Sequence, residues 1–183
     1  MAVLNRKPTA PRRRLRLPDY DYASPGAYFV SICTHQRVCL FGQITDGTLS
    51  ANPFGKIVEA CWLDLPSHYP NAVLDAFVVM PNHVHGILLI ERVFQAAHGL
   101  GEIIRGFKTF PARRINELRS TTGKPLWQRG YHEHIVRNEA ALEEIRDYIN
   151  TNPLRWAVDR NNPGYVPAIR AGLKPAPTVG MGR

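Results

Sequence analysis

The chain has 183 residues, of which 44% are hydrophobic and 21% are charged. This length and composition predict one globular domain and exclude a collagen-like, coiled-coil or wholly disordered chain. Lysine and arginine outnumber aspartate and glutamate by 23 to 15, which gives a net charge of +8. Such a surface favours polyanions, so nucleic acid is the first partner class to expect.

The first segment, residues 1–26, is predicted to be a basic arm, because residues 1–17 contain arginines and lysines but no acid. No apolar stretch follows this arm, so a secretory signal is not expected. No run in the chain approaches the ~18 apolar residues of a spanning helix, and prolines in the arm disfavour an amphipathic membrane anchor. We therefore expect a cytoplasmic protein with no membrane partner.

The next elements follow from β-branched content and apolar spacing. Residues 27–37 and 39–44 are predicted to be strands, the second followed by a turn at 46–47. Residues 53–65 place apolar side chains at helical spacing behind Pro53, which favours a helix.

Two further strands form a predicted hairpin, residues 71–80 and 83–91, joined by a turn at Pro81 and Asn82. Residues 100–118 follow as a helix that Pro111 should kink or restart.

The last patterned segments are a predicted strand over residues 126–137 and a helix over 139–151 capped by Asn138. Residues 157–183 form a tail rich in proline and glycine, which leaves 27–156 as the folded domain. The mixed order predicts an α+β fold, a mostly antiparallel sheet with helices on one side.

Two histidines, His83 and His85, stand two residues apart at the start of the return strand. Side chains at this spacing point to one face, with Val84 on the other, and two adjacent imidazoles can chelate a metal ion. A position just after a turn should leave them open to solvent. The alternative is two ordinary histidines on a half-exposed strand face.

Tyr148 and Asn152 stand one turn apart at the end of the last helix and share a face. Pro153 disfavours helical geometry at Asn152, so the helix should end there and leave the amide able to join two imidazoles around a divalent ion. A phenol beside such an ion loses its proton more readily and can act as a nucleophile. The alternative is a buried tyrosine and an asparagine that terminates a helix.

A second pair of histidines, His132 and His134, competes for the metal. Glu133 between them would face away. The alternative interpretation of this histidine pair is a polar strand face near a basic surface. The sequence contains no P-loop, GxGxxG, GxSxG or HExxH motif, so no nucleotide cofactor is expected.

Several segments together resemble the REP-associated tyrosine transposases, members of the single-tyrosine HUH transposase superfamily. The resemblance runs from about residue 15 to residue 156, and the joint occurrence of MPNHVHG and DYINTNP in this order is its most specific feature. The segments are residues 28–35 (YFVSICTH), 40–42 (LFG), 78–87 (VVMPNHVHGI), 127–129 (WQR), 133–137 (EHIVR) and 147–153 (DYINTNP).

The resemblance implies a ferredoxin-like HUH fold with the histidine pair on a central strand. It implies that His83 and His85 bind a divalent ion, Mg²⁺ or Mn²⁺, with Asn152 as third ligand and Tyr148 as nucleophile. His132 stands where the family has an aromatic residue, so the second histidine pair is not assigned to the metal.

The implied function is a metal-dependent single-stranded DNA endonuclease and strand transferase acting on repetitive palindromic hairpins. Its tyrosine attacks a phosphate, forms a 5′-phosphotyrosine and releases a 3′-hydroxyl that can later rejoin strands. Tyr131 is the reserve nucleophile. The residues assigned to DNA contact are Arg12, Arg13, Arg14, Arg16, Arg105, Lys108, Arg113, Arg114 and His134.

Two other functions remain open from the residues alone. The chain could be a DNA-binding regulatory module that does not cleave, or a metal-dependent hydrolase of small phosphoesters. Covalent attachment to hairpin DNA distinguishes these from the transferase. The sequence also leaves monomer and homodimer open.

Overall fold

The computed structural model describes residues 20–92 and 98–165. Within these ranges the chain forms six strands, four α-helices and two short 3-10 helices. The strands are β1 (Gly26–Cys33), β2 (Gly42–Thr45), β3 (Thr48–Ala51), β4 (Ala72–Met80), β5 (His83–Ile90) and β6 (His132–Val136). The α-helices are α1 (Pro53–Leu63), α2 (Leu65–His68), α3 (Leu100–Leu118) and α4 (Glu139–Thr151), and the 3-10 helices are His35–Arg37 and Pro153–Val158.

Four strands form the main sheet in the order β4-β5-β1-β6. Every pairing within it is antiparallel, and β2 and β3 form a separate hairpin. The predicted α+β class with an antiparallel central sheet is confirmed. The histidine-bearing strand β5 lies in the interior of this sheet, between β4 and β1.

Helices cover both faces of the sheet, so the prediction that they lie on one side is wrong. The larger apolar cluster joins α1 and α3 to one face, and a smaller cluster joins α4 to the other. The reason lies in β5, where seven of eight residues are buried. A strand that is buried along nearly its whole length needs cover on both faces.

The α1/α3 face is built around the indole of Trp62. This ring stacks on Phe77 with centroids 4.5 Å apart and meets Phe107 edge-on at 5.1 Å. It also lies directly over Gly86 of β5, where a Cβ would stand 2.5 Å from the indole. The glycine is therefore required by close packing and not by a turn.

The α4 face is smaller and carries the histidine pair. Leu142 and Ile149 of α4 pack against Phe29, Ile87 and Val136 of the sheet. Asn138 caps the helix as predicted, since its side-chain oxygen accepts a hydrogen bond from the Ala141 amide at 2.8 Å.

Strand β1 ends at Cys33, four residues before the predicted limit. Gln36 and Arg37 adopt left-handed φ angles of 55° and 56°, which no strand accommodates. The short second strand is also displaced and covers Gly42–Thr45 instead of residues 39–44.

Helix α3 has the predicted bounds but runs without interruption through Pro111. The helix therefore does not restart at Pro111, although this residue lacks the amide donor of one helical hydrogen bond.

The predicted strand over residues 126–137 pairs only at His132–Val136, apart from a single bridge between Trp127 and Thr34. The Lys108 ammonium explains the difference. It donates to the carbonyls of Gln128 and Gly130, both at 2.8 Å, and so diverts this backbone from the sheet.

Two regions predicted from the sequence lie mostly outside the described residues. These are residues 1–19 of the arm and residues 166–183 of the tail. The first range contains Arg12, Arg13, Arg14 and Arg16. The division into arm, domain and tail stays a prediction. No helix in the described part of the chain is both long enough and apolar enough to cross a membrane.

Candidate active site

His83 and His85 lie side by side on the α4 face of the sheet. Their ring centroids are 4.6 Å apart, and Val84 between them joins the cluster on the opposite face. Phe29 of the neighbouring strand stacks on His85 at 5.5 Å. The period of a strand therefore places the two imidazoles as the sequence predicts.

The expected solvent access of these histidines is not found, because His83 is 0% exposed and His85 3% exposed. The chain after α4 covers them. Trp156 of the second 3-10 helix lies 6.1 Å from the His83 ring, centroid to centroid, and Asp159 follows directly behind it.

The orientation of His83 is fixed by the residue before it. The side-chain oxygen of Asn82 lies 2.8 Å from His83 Nδ1. Because an amide oxygen only accepts, Nδ1 carries the proton and Nε2 keeps its lone pair. Burial lowers the pKa of His83 to about 4, against the opposing effects of Asp159 and Asn152. The ring is thus a neutral donor with its lone pair directed into the site.

Tyr148 brings its phenol to the same place from α4. Its Oη lies 3.3 Å from His85 Nε2, and its ring meets Phe29 edge-on at 6.1 Å. Burial raises the pKa of Tyr148, and Asp159 raises it further, whereas Asn152 and Arg155 lower it. Without added positive charge the phenol keeps its proton at neutral pH.

Asn152 lies in the same site, directly after α4 ends at Thr151 as predicted, although Pro153 was expected to disfavour helical geometry at this residue. Its backbone is helical, with φ −58° and ψ −42°, and the chain continues into the second 3-10 helix. Pro153 is accommodated there because a first helical position needs no amide donor. The side chain is 2% exposed, and its Oδ1 has no hydrogen-bond partner among the described residues.

Asp159 is a site residue that the sequence reasoning missed. His83, His85 and Asp159 each offer a ligand atom, and these atoms lie within 4.8 Å of one another. No motif or spacing marks this aspartate, which lies in the segment that the sequence assigns to the tail. Its nearness to the histidines depends on tertiary structure alone.

The second histidine pair lies on β6, on the same face of the sheet as His85. Ser31 of β1 pairs with His85 on one side and His132 on the other. His132 and His134 are exposed and do not belong to the cluster of candidate metal ligands found in the described residues. Tyr131 packs against the α1/α3 cluster, on the far side of the sheet from the histidine pair.

The basic residues of α3 divide between two surfaces. Arg105, Lys108 and Arg113 line a groove of about 760 Å³ between α3 and residues 122–131. Arg114 instead reaches α1, where it donates to Cys61 Sγ at 3.5 Å. The groove lies on the α1/α3 face, so it is separated from Tyr148 by the sheet.

Comparison with known proteins agrees with this fold. The profile of the family described as transposase IS200-like matches residues 67–152. A Haemophilus influenzae protein of uncharacterized function is 36% identical over 170 residues, covering 81% of this chain and 92% of that protein. A second protein of that organism is provisionally named a REP-associated tyrosine transposase. It is 26% identical over 155 residues, and the match covers 82% of this chain and 78% of that protein.

A solved structure of a REP-associated tyrosine transposase bound to a REP hairpin has the same fold. The match has a TM-score of 0.58 and 19% sequence identity, and covers 76% of this chain and 73% of that one. The chain therefore resembles the IS200-like transposases over residues 67–152, and its resemblance to the REP-associated tyrosine transposases is confirmed. The family implies a DNA-processing enzyme that depends on a metal ion.

Proposed function

We propose that this protein is a metal-dependent single-stranded DNA endonuclease and strand transferase with Tyr148 as its nucleophile. The observation that carries the proposal is the 3.3 Å approach of the Tyr148 hydroxyl to His85, beside a second imidazole on the same strand. A phenol, two neutral imidazoles and a buried amide at one point are difficult to explain as packing alone.

The residues present fit a divalent cation. Each of the three predicted ligands has a buried polar atom that lacks a hydrogen-bond partner among the described residues, and unpaired buried polar groups are unfavourable unless they bind something. Nitrogen and oxygen donors of this kind suit Mn²⁺, and the oxygens also suit Mg²⁺. The atoms are His83 Nε2, His85 Nδ1 and Asn152 Oδ1. When bound, the ion supplies the positive charge that polarises a scissile phosphate and favours the phenolate.

The chemistry of the chain's own residues follows from this arrangement. Tyr148 Oη attacks the phosphorus in line with the 3′ oxygen, forming one P–O bond as the other breaks. The phenolic proton is lost, and the departing 3′ oxygen gains one, so the products are a 5′-phosphotyrosine and a 3′-hydroxyl. Because the phosphoester bond is conserved in the adduct, the same hydroxyl can reverse the step without nucleotide hydrolysis.

We propose hairpin DNA with an unpaired flank as the substrate. The protein seen bound to a REP hairpin shares this fold, and the groove on α3 offers the cationic side chains of Arg105 and Arg113 beside the solvent-accessible apolar side chains of Ala112 and Pro125. Phosphates suit such cations, and unstacked bases suit such an apolar surface. His134 is exposed on β6, the edge strand between the groove and Tyr148, and Arg12, Arg13, Arg14 and Arg16 of the arm would add further phosphate contacts.

The test is a denaturing gel of the protein with labelled hairpin DNA, with and without Mn²⁺. We expect a covalent protein–DNA band for the wild type with Mn²⁺, and none for Tyr148→Phe. Tyr131→Phe, which removes a phenol from the other face of the sheet, should form the band at the wild-type level.

DNA binding by Tyr148→Phe, measured by fluorescence anisotropy, should stay within about twofold of the wild type, since only one hydroxyl is lost. A wild type that binds the hairpin without a covalent product would identify a non-cleaving module. An adduct that persists in Tyr148→Phe would remove this residue from the nucleophile's role.

A further inference from the structure

We infer that Asp159 is a ligand of the cation held by His83 and His85, so that the chain after the tyrosine helix completes the metal site. The inference rests on the proposed function, because it requires that the histidine pair binds a divalent ion. It adds to the set of His83, His85 and Asn152 a carboxylate from a segment outside β5 and α4.

The geometry supports coordination more than hydrogen bonding. Asp159 Oδ2 lies 3.6 Å from His83 Nε2, which is too long for a hydrogen bond. Both atoms are buried and without a hydrogen-bond partner among the described residues. Since Nδ1 of His83 carries the proton, two lone pairs face one another across this gap. A cation between them satisfies both atoms.

The two carboxylate oxygens of Asp159 have separate tasks. Oδ1 accepts a hydrogen bond from the Asn161 amide at 2.7 Å, which shapes the turn after the 3-10 helix. Oδ2 is left directed at the histidines. One oxygen therefore fixes the turn, and the other remains available as a ligand.

The turn is held against the histidine hairpin by independent contacts. The side-chain amide of Asn82 donates to the Asn161 carbonyl at 2.6 Å, while its oxygen orients His83. Arg37 donates to the Arg160 carbonyl at 3.2 Å. Asn82 thus positions an imidazole and a carboxylate with the two ends of one side chain, which is the usual task of a residue that supports metal ligands.

The charge of the site also favours a carboxylate ligand. The Asp159 side chain is 11% exposed, and among the described residues no arginine or lysine forms an ion pair with it. A buried carboxylate without a counter-ion is unfavourable. Two neutral imidazoles and an amide cannot balance it, whereas a divalent cation can.

The experiment compares Mn²⁺ binding by the full-length wild type, Asp159→Asn and Glu144→Gln, using isothermal titration calorimetry without DNA. Asparagine keeps Oδ1 and so preserves the turn, but it replaces Oδ2 with an amide nitrogen that cannot coordinate. Glu144 is an exposed carboxylate on α4, so Glu144→Gln removes the same charge without touching the site.

We expect the Mn²⁺ dissociation constant of Asp159→Asn to rise roughly tenfold or more, with Glu144→Gln within about twofold of the wild type. Equal affinity in all three proteins would overturn the inference while leaving the histidine site intact. A wild type that binds no Mn²⁺ would instead refute the metal site of the proposed function. Circular dichroism of Asp159→Asn distinguishes a lost ligand from a lost fold.

Discussion

Gly86 determines how closely the Trp62 indole approaches the strand that carries the histidines. A Cβ at this position would stand 2.5 Å from Cζ2 and 2.7 Å from Cη2 of the indole, and 3.0 Å from Phe77. None of these rings can retreat easily, because Trp62 and Phe77 stack on each other. The glycine that follows the histidine pair is thus a packing requirement of the opposite face.

Gly86→Ala should therefore destabilise the protein by about 2 kcal/mol through overpacking, measured by urea denaturation. Gly164→Ala is a suitable control, because the added Cβ would meet only Asn162 at an ordinary 3.4 Å. If Gly86→Ala unfolds at the same urea concentration as the control, the close approach of the indole does not limit this position.

At the level of single residues, sequence reasoning located most of the proposed site. His83 and His85 follow from the period of a strand, and Tyr148 and Asn152 from the period of a helix, so local geometry was enough to place each pair on one face. Asp159 was out of reach, because its approach to His83 depends on the path of the chain after α4. The burial of the pair was missed for the same reason.

At the level of elements, an ion pair fastens the tyrosine helix to the sheet. Arg146 of α4 donates to both carboxylate oxygens of Asp75 on β4, at 2.9 and 2.7 Å. This hydrogen bonding to Arg146 holds the pKa of Asp75 below its usual value. Arg146 also contacts Glu143 on its own helix.

This ion pair predicts a pH-dependent difference between the wild type and Asp75→Asn. A carboxyl group with a depressed pKa stabilises the fold above its unfolded pKa of about 4 and stops doing so as the pH falls through the folded value. We expect Asp75→Asn to unfold at a lower urea concentration at pH 7. The difference between the urea midpoints of the two proteins should narrow as the pH falls below about 4. An equal difference in urea midpoints at pH 7 and below pH ~4 would contradict this account.

The elements that were predicted correctly depend on local sequence signals, whereas the others depend on contacts between distant residues. Helices α3 and α4 have the predicted bounds because apolar period and capping are local signals. The strand before α4 was predicted too long, since the diversion of Gln128 and Gly130 depends on Lys108, some twenty residues earlier. The second layer of helices was missed, although the run of four apolar residues at positions 87–90 of β5 (ILLI), without polar alternation, was a signal for it.

At the level of the whole molecule, the groove and the tyrosine lie on opposite faces of the sheet. A DNA molecule that contacts both must pass around the edge strand β6. Arg105 and Arg113 are two turns apart on α3, about 12 Å along the axis at 1.5 Å per residue. Among the described residues, neither arginine forms an ion pair with a carboxylate.

The double variant Arg105→Ala/Arg113→Ala should therefore weaken binding of a flanked hairpin. If each arginine neutralises one phosphate of an unpaired strand, the slope of log affinity against log salt should become shallower by about 1.4. Fluorescence anisotropy across a salt series measures this in the Tyr148→Phe background, where cleavage cannot intervene. Lys56→Ala, which removes one positive charge at an exposed position of α1, is the control for a change in net charge. A slope change in the double variant no larger than twice the change in this control would exclude the groove from DNA contact.

The strand order has a consequence for how the protein forms during synthesis. Strand β1 is made first, yet both of its neighbours come much later, β5 after some fifty residues and β6 after about a hundred. The hairpin with the histidines can close locally, but β1 must wait for it, and contacts of such long sequence separation are slow to form. The tyrosine and Asp159 follow even β6. The proposed site is therefore complete only after all four strands of the main sheet have been made, and a chain that ends before Tyr148 lacks the proposed nucleophile.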